Sequence, residues 1–108
     1  MENDIAKGKT AAVVTHLTLV GCLIAITMNL EPKNAFARFY IRQTFGLHIT
    51  FHALVIFLNY TTIAFAWEVL FLLHLGLWLF SIVGVLKNKK NQIPLVGQYF
   101  QKWFTFIQ

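Results

Sequence analysis

No Asp, Glu, Lys or Arg occurs from Gln43 to Trp67, and none again from Val69 to Leu86. About 20 apolar residues of helix cross the hydrocarbon core of a bilayer. Two such runs, parted by the single acid Glu68, constrain the chain more than any motif in it. Composition points the same way: 57% of the 108 residues are hydrophobic and 12% are charged, about half the share of charged residues in soluble proteins. A soluble domain of this size has a large surface to cover with polar groups, and this chain lacks the supply.

The sequence is therefore read as one all-α integral membrane domain, 1–108, with three transmembrane helices at about 11–30, 44–58 and 63–86. Two interfacial helices are expected at about 34–43 and 95–108. Pro32 in the loop EPKN breaks the first span, Asn34 caps the next helix, and NYTT at 59–62 forms a turn.

The net charge of +5 suits anionic lipid headgroups. The cations flank apolar runs instead of forming a solvated patch, which argues against nucleic acid. With three spans, Lys33, Arg38 and Arg42 share a side with Lys87, Lys89, Lys90 and Lys102, while Lys7 and Lys9 lie opposite. The positive-inside rule then places the C-terminus in the cytoplasm of a bacterial inner membrane and the N-terminus outside.

Within 34–43 and the residues that follow, Phe36, Tyr40, Gln43 and Leu47 share one helical face, and Arg38 and Arg42 lie opposite. The aromatic face is expected to sink into the acyl boundary while the arginines reach lipid phosphates. A sharper reading has Arg38, Arg42 and Gln43 gripping a partner's carboxylate or a lipid phosphate. Lys87, Lys89, Lys90 and Trp103 are further expected contacts with lipid or partner. From Leu95 onward, Leu95, Val96, Tyr99, Phe100, Trp103, Phe104, Phe106 and Ile107 fill one half of a helical wheel without exception. About 14 residues are too few to span, so a helix in the interface is expected, with packing into a protein groove as the alternative.

In the first span, Gly8, Ala11, Thr15, Thr18, Cys22, Ala25 and Asn29 recur at alternating steps of three and four. Val13, Leu17, Val20, Ile24 and Met28 form the opposite stripe. In lipid, small residues mark where helices approach closely, so the first stripe is expected to face protein, with Cys22 as a small packing residue. Gly76 and Gly84 offer a similar surface in the third span.

His16, His48, His52 and His74 all fall in spans. His48 and His52, one turn apart, are the candidates for a bound metal or haem. Neutral histidines bonding across helices explain the pattern without a cofactor, and that reading is preferred. There is no nucleophile–base–acid set, phosphate loop, paired carboxylate or zinc hydrolase motif, so no enzymatic activity is expected.

The stretch NAFARFYIRQTFGLH resembles the "pFaRfharQalllh" signature of small bacterial membrane proteins, and IPLVG after a basic linker resembles their "riPlig" ending. The match rests on Phe36, Ala37, Arg38, Phe39, Arg42, Gln43, Pro94 and Gly97 and extends over about residues 10–100. These proteins are similar to the chloroplast inner-envelope import components, the Tic20-like family. The resemblance implies a helical membrane protein without known catalytic residues; plastid members have four spans and associate with a protein-import translocon. The expected role is an accessory or scaffold subunit of a larger membrane assembly, in contact with other subunits or with itself. The rivals are a haem- or metal-binding membrane protein and an oligomeric channel or transporter.

Overall fold

The computed structural model describes residues 2–30 and 33–107, with side chains from Gly8 onward; Pro32, the expected helix breaker, lies outside them. Five helices follow one another: α1 (Glu2–Val14), α2 (Leu19–Met28), α3 (Ala35–Leu58), α4 (Ala66–Leu86) and α5 (Gly97–Trp103). No strand occurs among the described residues.

Helices α3 and α4 are long and apolar enough to cross a membrane. Asn34 starts α3, its side chain accepting the Ala37 N–H at 3.0 Å. At 1.5 Å per residue α3 runs roughly 36 Å, continuing through the stretch expected to lie as a separate interfacial helix. The turn after Asn59 returns the chain through Phe65, at a left-handed φ of 61°, into an antiparallel α4. The two helices meet where the Tyr40 hydroxyl lies against Gly84, at Gln43 with Ser81, and at His48 with His74.

The expected first span is not one helix. It breaks at 15–18, and its two halves fold against each other as a hairpin. Thr18 caps α2 from an extended backbone, accepting the Gly21 N–H at 3.1 Å. Ala11 and Ala25 meet in one core cluster, and Thr15 Oγ1 lies 3.0 Å from Cys22 Sγ. Gly8, midway along α1, and Asn29, at the end of α2, both lie against Asn34. Thus α1 enters beside the start of α3 and α2 returns to the same level. The small-residue stripe is what allows this. Gly8, Ala11, Thr15, Cys22, Ala25 and Asn29 are buried between the arms and against α3, and Thr18 sits at the exposed tip. The opposite stripe points outward from Leu17 on, with Leu17 66% and Val20 63% exposed, while Val13 is half-buried against Phe36 and Tyr40.

Two further expectations change. The face of Phe36, Tyr40, Gln43 and Leu47 is buried in protein and does not meet lipid; Phe36 and Tyr40 pack with Ala12 and Val85. The C-terminal helix covers only 97–103. Leu95 has a left-handed φ of 71° and the chain turns again after Phe104. Its apolar half divides: Phe100 and Ile107 are buried on this chain's own α1, α2 and α3, while Tyr99, Trp103 and Phe106 face outward. Arg42 holds this segment, its Nε donating to the Ile107 carbonyl at 2.9 Å and a guanidinium nitrogen lying 3.5 Å from that of Gln101. Gln101 returns a bond to the Phe39 carbonyl at 2.8 Å. Hydrogen bonds from a charged donor contribute about 2 kcal/mol, so Arg42→Ala is expected to cost about that much. Limited proteolysis checks this, with faster cleavage after Lys102 than in the parent.

Candidate functional site

A helix that breaks inside a bundle frees backbone carbonyls in its last turn. In a non-aqueous setting each of these needs a partner. Here side chains of three helices supply them. His16 Nδ1 donates to the Ala12 carbonyl at 2.6 Å, within α1's own last turn. The Thr15 carbonyl accepts from His48 Nε2 of α3 at 3.1 Å and from the Cys22 thiol of α2 at 3.4 Å. The His16 carbonyl accepts from the Trp78 indole of α4 at 2.6 Å. Thr15 Oγ1 lies 2.6 Å from Thr44 Oγ1, which donates to the Tyr40 carbonyl at 2.8 Å.

The second half of the network ties the break to the segment after α4. A carbonyl only accepts, so the proton of neutral His16 sits on Nδ1 and its Nε2 accepts. The donor is the Ser81 hydroxyl at 2.7 Å. Ser81 Oγ in turn accepts from Gln43 Nε2 at 2.8 Å. Gln43 also donates to the Asn91 carbonyl at 2.9 Å and accepts the Ile93 N–H at 2.9 Å. Tyr40 donates to the Lys89 carbonyl and accepts the Asn91 N–H at 2.9 Å. Thr15, His16, Cys22, Tyr40, Gln43, Thr44 and Ser81 are all fully buried. Among the described residues, no buried side-chain nitrogen or oxygen lacks a partner. Such closure makes the network a clamp that fixes one arrangement of hairpin, spans and C-terminal segment.

The sequence-derived candidates separate accordingly. Gln43 is the hub of the clamp, Arg42 holds the C-terminal segment, and Arg38 is half-buried on the outer side of α3. Lys87, Lys89, Lys90 and Trp103 are exposed; Lys90 Nζ lies 5.9 Å over the Phe39 ring. Lys9 reaches the end of α4, bonding the Asn88 side chain at 3.0 Å and the Leu86 carbonyl at 3.4 Å. His48 and His52 do not converge on one point: His48 Nε2 is spent on Thr15, and His52 Nδ1 on the His48 carbonyl at 2.7 Å. No group of three or more His, Cys, Asp or Glu residues is arranged to hold a metal among the described residues.

Ser81, Thr44, Trp78 and Asn91 were not singled out from the sequence. Ser81 carried a signal, as a hydroxyl in a greasy run that needs a partner in lipid. The role of Asn91 had none, because its bonds to Gln43 and Tyr40 are made through its backbone, and its side chain only donates to the Phe80 carbonyl at 3.2 Å. No family model, curated protein or solved structure matches the chain.

Proposed function

We propose that this chain is a two-span membrane protein with a re-entrant hairpin, both ends in the cytoplasm, serving as an accessory or scaffold subunit of a larger membrane assembly. The observation that carries the membrane reading is the exposure of its greasiest helices. The most apolar windows of α3 and α4 have mean hydropathies of 1.3 and 2.4, yet only 33% and 22% of these windows is buried within the chain. A core helix of a soluble protein hides such a surface; here lipid or partner helices must cover it.

The hairpin supports the sidedness. Its return brings Lys7 and Lys9 to the end that already carries Lys33, Arg38, Arg42, Lys87, Lys89, Lys90 and Lys102. That end then holds all 9 Lys and Arg residues, and the 59–65 turn at the other end holds none. Positive charge on one side alone is a stronger orienting signal than a division between sides. The hairpin tip meets α3 at His48, roughly 20 Å from its start by helical rise, so the arms end near mid-bilayer.

Single-cysteine labelling in cells tests the arrangement. With Cys22 replaced by Ala, a membrane-impermeant maleimide should label Thr61→Cys from outside, and Thr10→Cys and Lys90→Cys only after lysis. Labelling of Thr10→Cys from outside would restore a full first span and sink the hairpin topology.

The accessory role rests on a clamped half and a bare half. Beyond the hairpin tip, the far ends of α3 and α4 pack on each other alone and present Ile56, Phe57, Val69 and Leu72 outward. A helix of a partner subunit, or of a second copy, fits this bare half, and protein transport is the setting that the Tic20-like resemblance implies. Occupied carbonyls at the break speak against an ion path, since side chains already take the oxygens that would ligate a cation. Extraction from the native host in mild detergent tests the role: partners should co-purify, and a lone species would overturn it.

A further inference from the structure

Below the hairpin tip lies a cleft of about 450 Å³, walled by Thr18 and Val20 of the tip, His48 and His52 of α3, and His74 and Trp78 of α4. Its volume falls within the usual range for small-molecule sites, about 300–1,000 Å³. The hydrogen bonds already described fix which nitrogen of each of the two imidazoles is left without a bond. The Thr15 carbonyl only accepts, so His48 carries its proton on Nε2 and leaves a lone pair on Nδ1. The His48 carbonyl likewise holds the His52 proton on Nδ1 and leaves a lone pair on Nε2.

His48 is only 5% exposed. No buried side-chain nitrogen lacks a partner among the described residues, so the unbonded Nδ1 keeps some exposure, and His48 lines the cleft. The walls are flat: the His74 ring stacks on Phe51 at 4.2 Å and 32°, and the Trp78 indole is pinned by its bond to the His16 carbonyl. Leu17 and Val20 at the rim are exposed, so the cleft leads outward past apolar side chains.

A bare acceptor in hydrocarbon is costly unless a donor reaches it. A cation would take these lone pairs only with further ligands, and no set of three converges here. What fits two acceptors, aromatic plates and an exit into acyl chains is a flat ring bearing hydroxyl groups and a greasy tail. We propose that the cleft binds a lipid-soluble aromatic diol of the quinol class, its hydroxyls donating to His48 Nδ1 and His52 Nε2 and its ring lying against Trp78 and His74. The proposal rests on the membrane reading above.

The test uses the full chain in lipid nanodiscs, with Trp67→Phe and Trp103→Phe so that Trp78 alone reports; both replaced residues are exposed. The probe is a decyl-benzoquinol kept reduced under anaerobic conditions, set against its dimethyl ether, which keeps ring and tail and loses both donors. The quinol should change Trp78 emission saturably. The ether should bind about tenfold more weakly or worse, as should the quinol to His52→Leu, since about 1.4 kcal/mol per lost hydrogen bond is tenfold in affinity. His52 is exposed and bonds only within its own helix, so this variant keeps the hairpin. Equal responses to quinol and ether, or an unchanged response in His52→Leu, would mean simple partitioning and overturn the proposal. A chain that stays folded and monomeric in buffer without lipid would instead overturn the membrane reading.

Discussion

Gly21→Ala is expected to destabilise the protein by about 3 kcal/mol, against the ordinary sign of that substitution. Inside a helix, Ala is favoured over Gly by about 1 kcal/mol. At Gly21 the new Cβ would fall against the Val14 carbonyl oxygen at less than 3.0 Å, closer than real Cβ atoms approach. The obstructing atom is backbone, so it cannot swing aside as a side-chain end would. Overpacking of this kind costs about 1–3 kcal/mol. Here it also spreads the two arms at the point where Thr15, Cys22 and Thr44 touch. Gly76→Ala is the matched control: nothing lies within 4 Å of its added Cβ, and it should be neutral or gain up to about 1 kcal/mol. Reversible unfolding in mixed micelles measures both. Cys22, 0% exposed, supplies a second readout, since its thiol should react faster in Gly21→Ala and not in Gly76→Ala. Equal stabilities for the two variants would mean that the arms do not meet as described.

This contrast also shows what could be read from the sequence and what could not. The stripe from Gly8 to Asn29 was legible as a close-packing surface because small residues at steps of three and four have few other uses in lipid. Its partner was not legible. The same spacing serves a straight helix against a neighbour and a helix folded on itself, and about 20 apolar residues satisfied a span with no need for a break. Thr18 was a possible N-cap, but no Pro or Asn supported a turn there. The charges differ between the two: with a hairpin every cation falls at one end of the bundle, whereas three spans divide them seven to two. At the C-terminus the apolar face was visible from the wheel. The short length of the helix was not, because the positive φ at Leu95 and the turn after Phe104 follow from anchoring by Arg42 and Gln43, far away in sequence. The histidines were legible as polar groups needing partners. The partner of His48 is a backbone carbonyl at the break, so it was hidden as long as the break was.

Gln43→Leu carries the other large expected effect, because this one side chain joins three parts of the fold. The substitution keeps the volume roughly constant, so packing loss is small, and the cost comes from polarity. Hydrogen bonds between helices in membranes average about 0.6 kcal/mol, so three of them account for only about 2 kcal/mol. The groups left behind matter as much. Ser81 keeps its bond to His16, but the Ile93 N–H, in a residue 1% exposed, loses the acceptor it has in Gln43. An orphaned buried donor adds about 1–3 kcal/mol, which brings the expected loss to about 3–5 kcal/mol. The damage should also be directional. With 91–93 released from α3, the segment from Lys89 onward should become cleavable by protease in detergent while α3 and α4 stay protected. Ser81→Ala serves as the comparison, removing one bond to Gln43 and one to His16 but leaving Ile93 and Asn91 held; it should cost less than half as much and leave the C-terminal segment resistant. If Gln43→Leu loses no more stability than Ser81→Ala and its C-terminal segment stays resistant, the clamp is not what ties that segment to the spans.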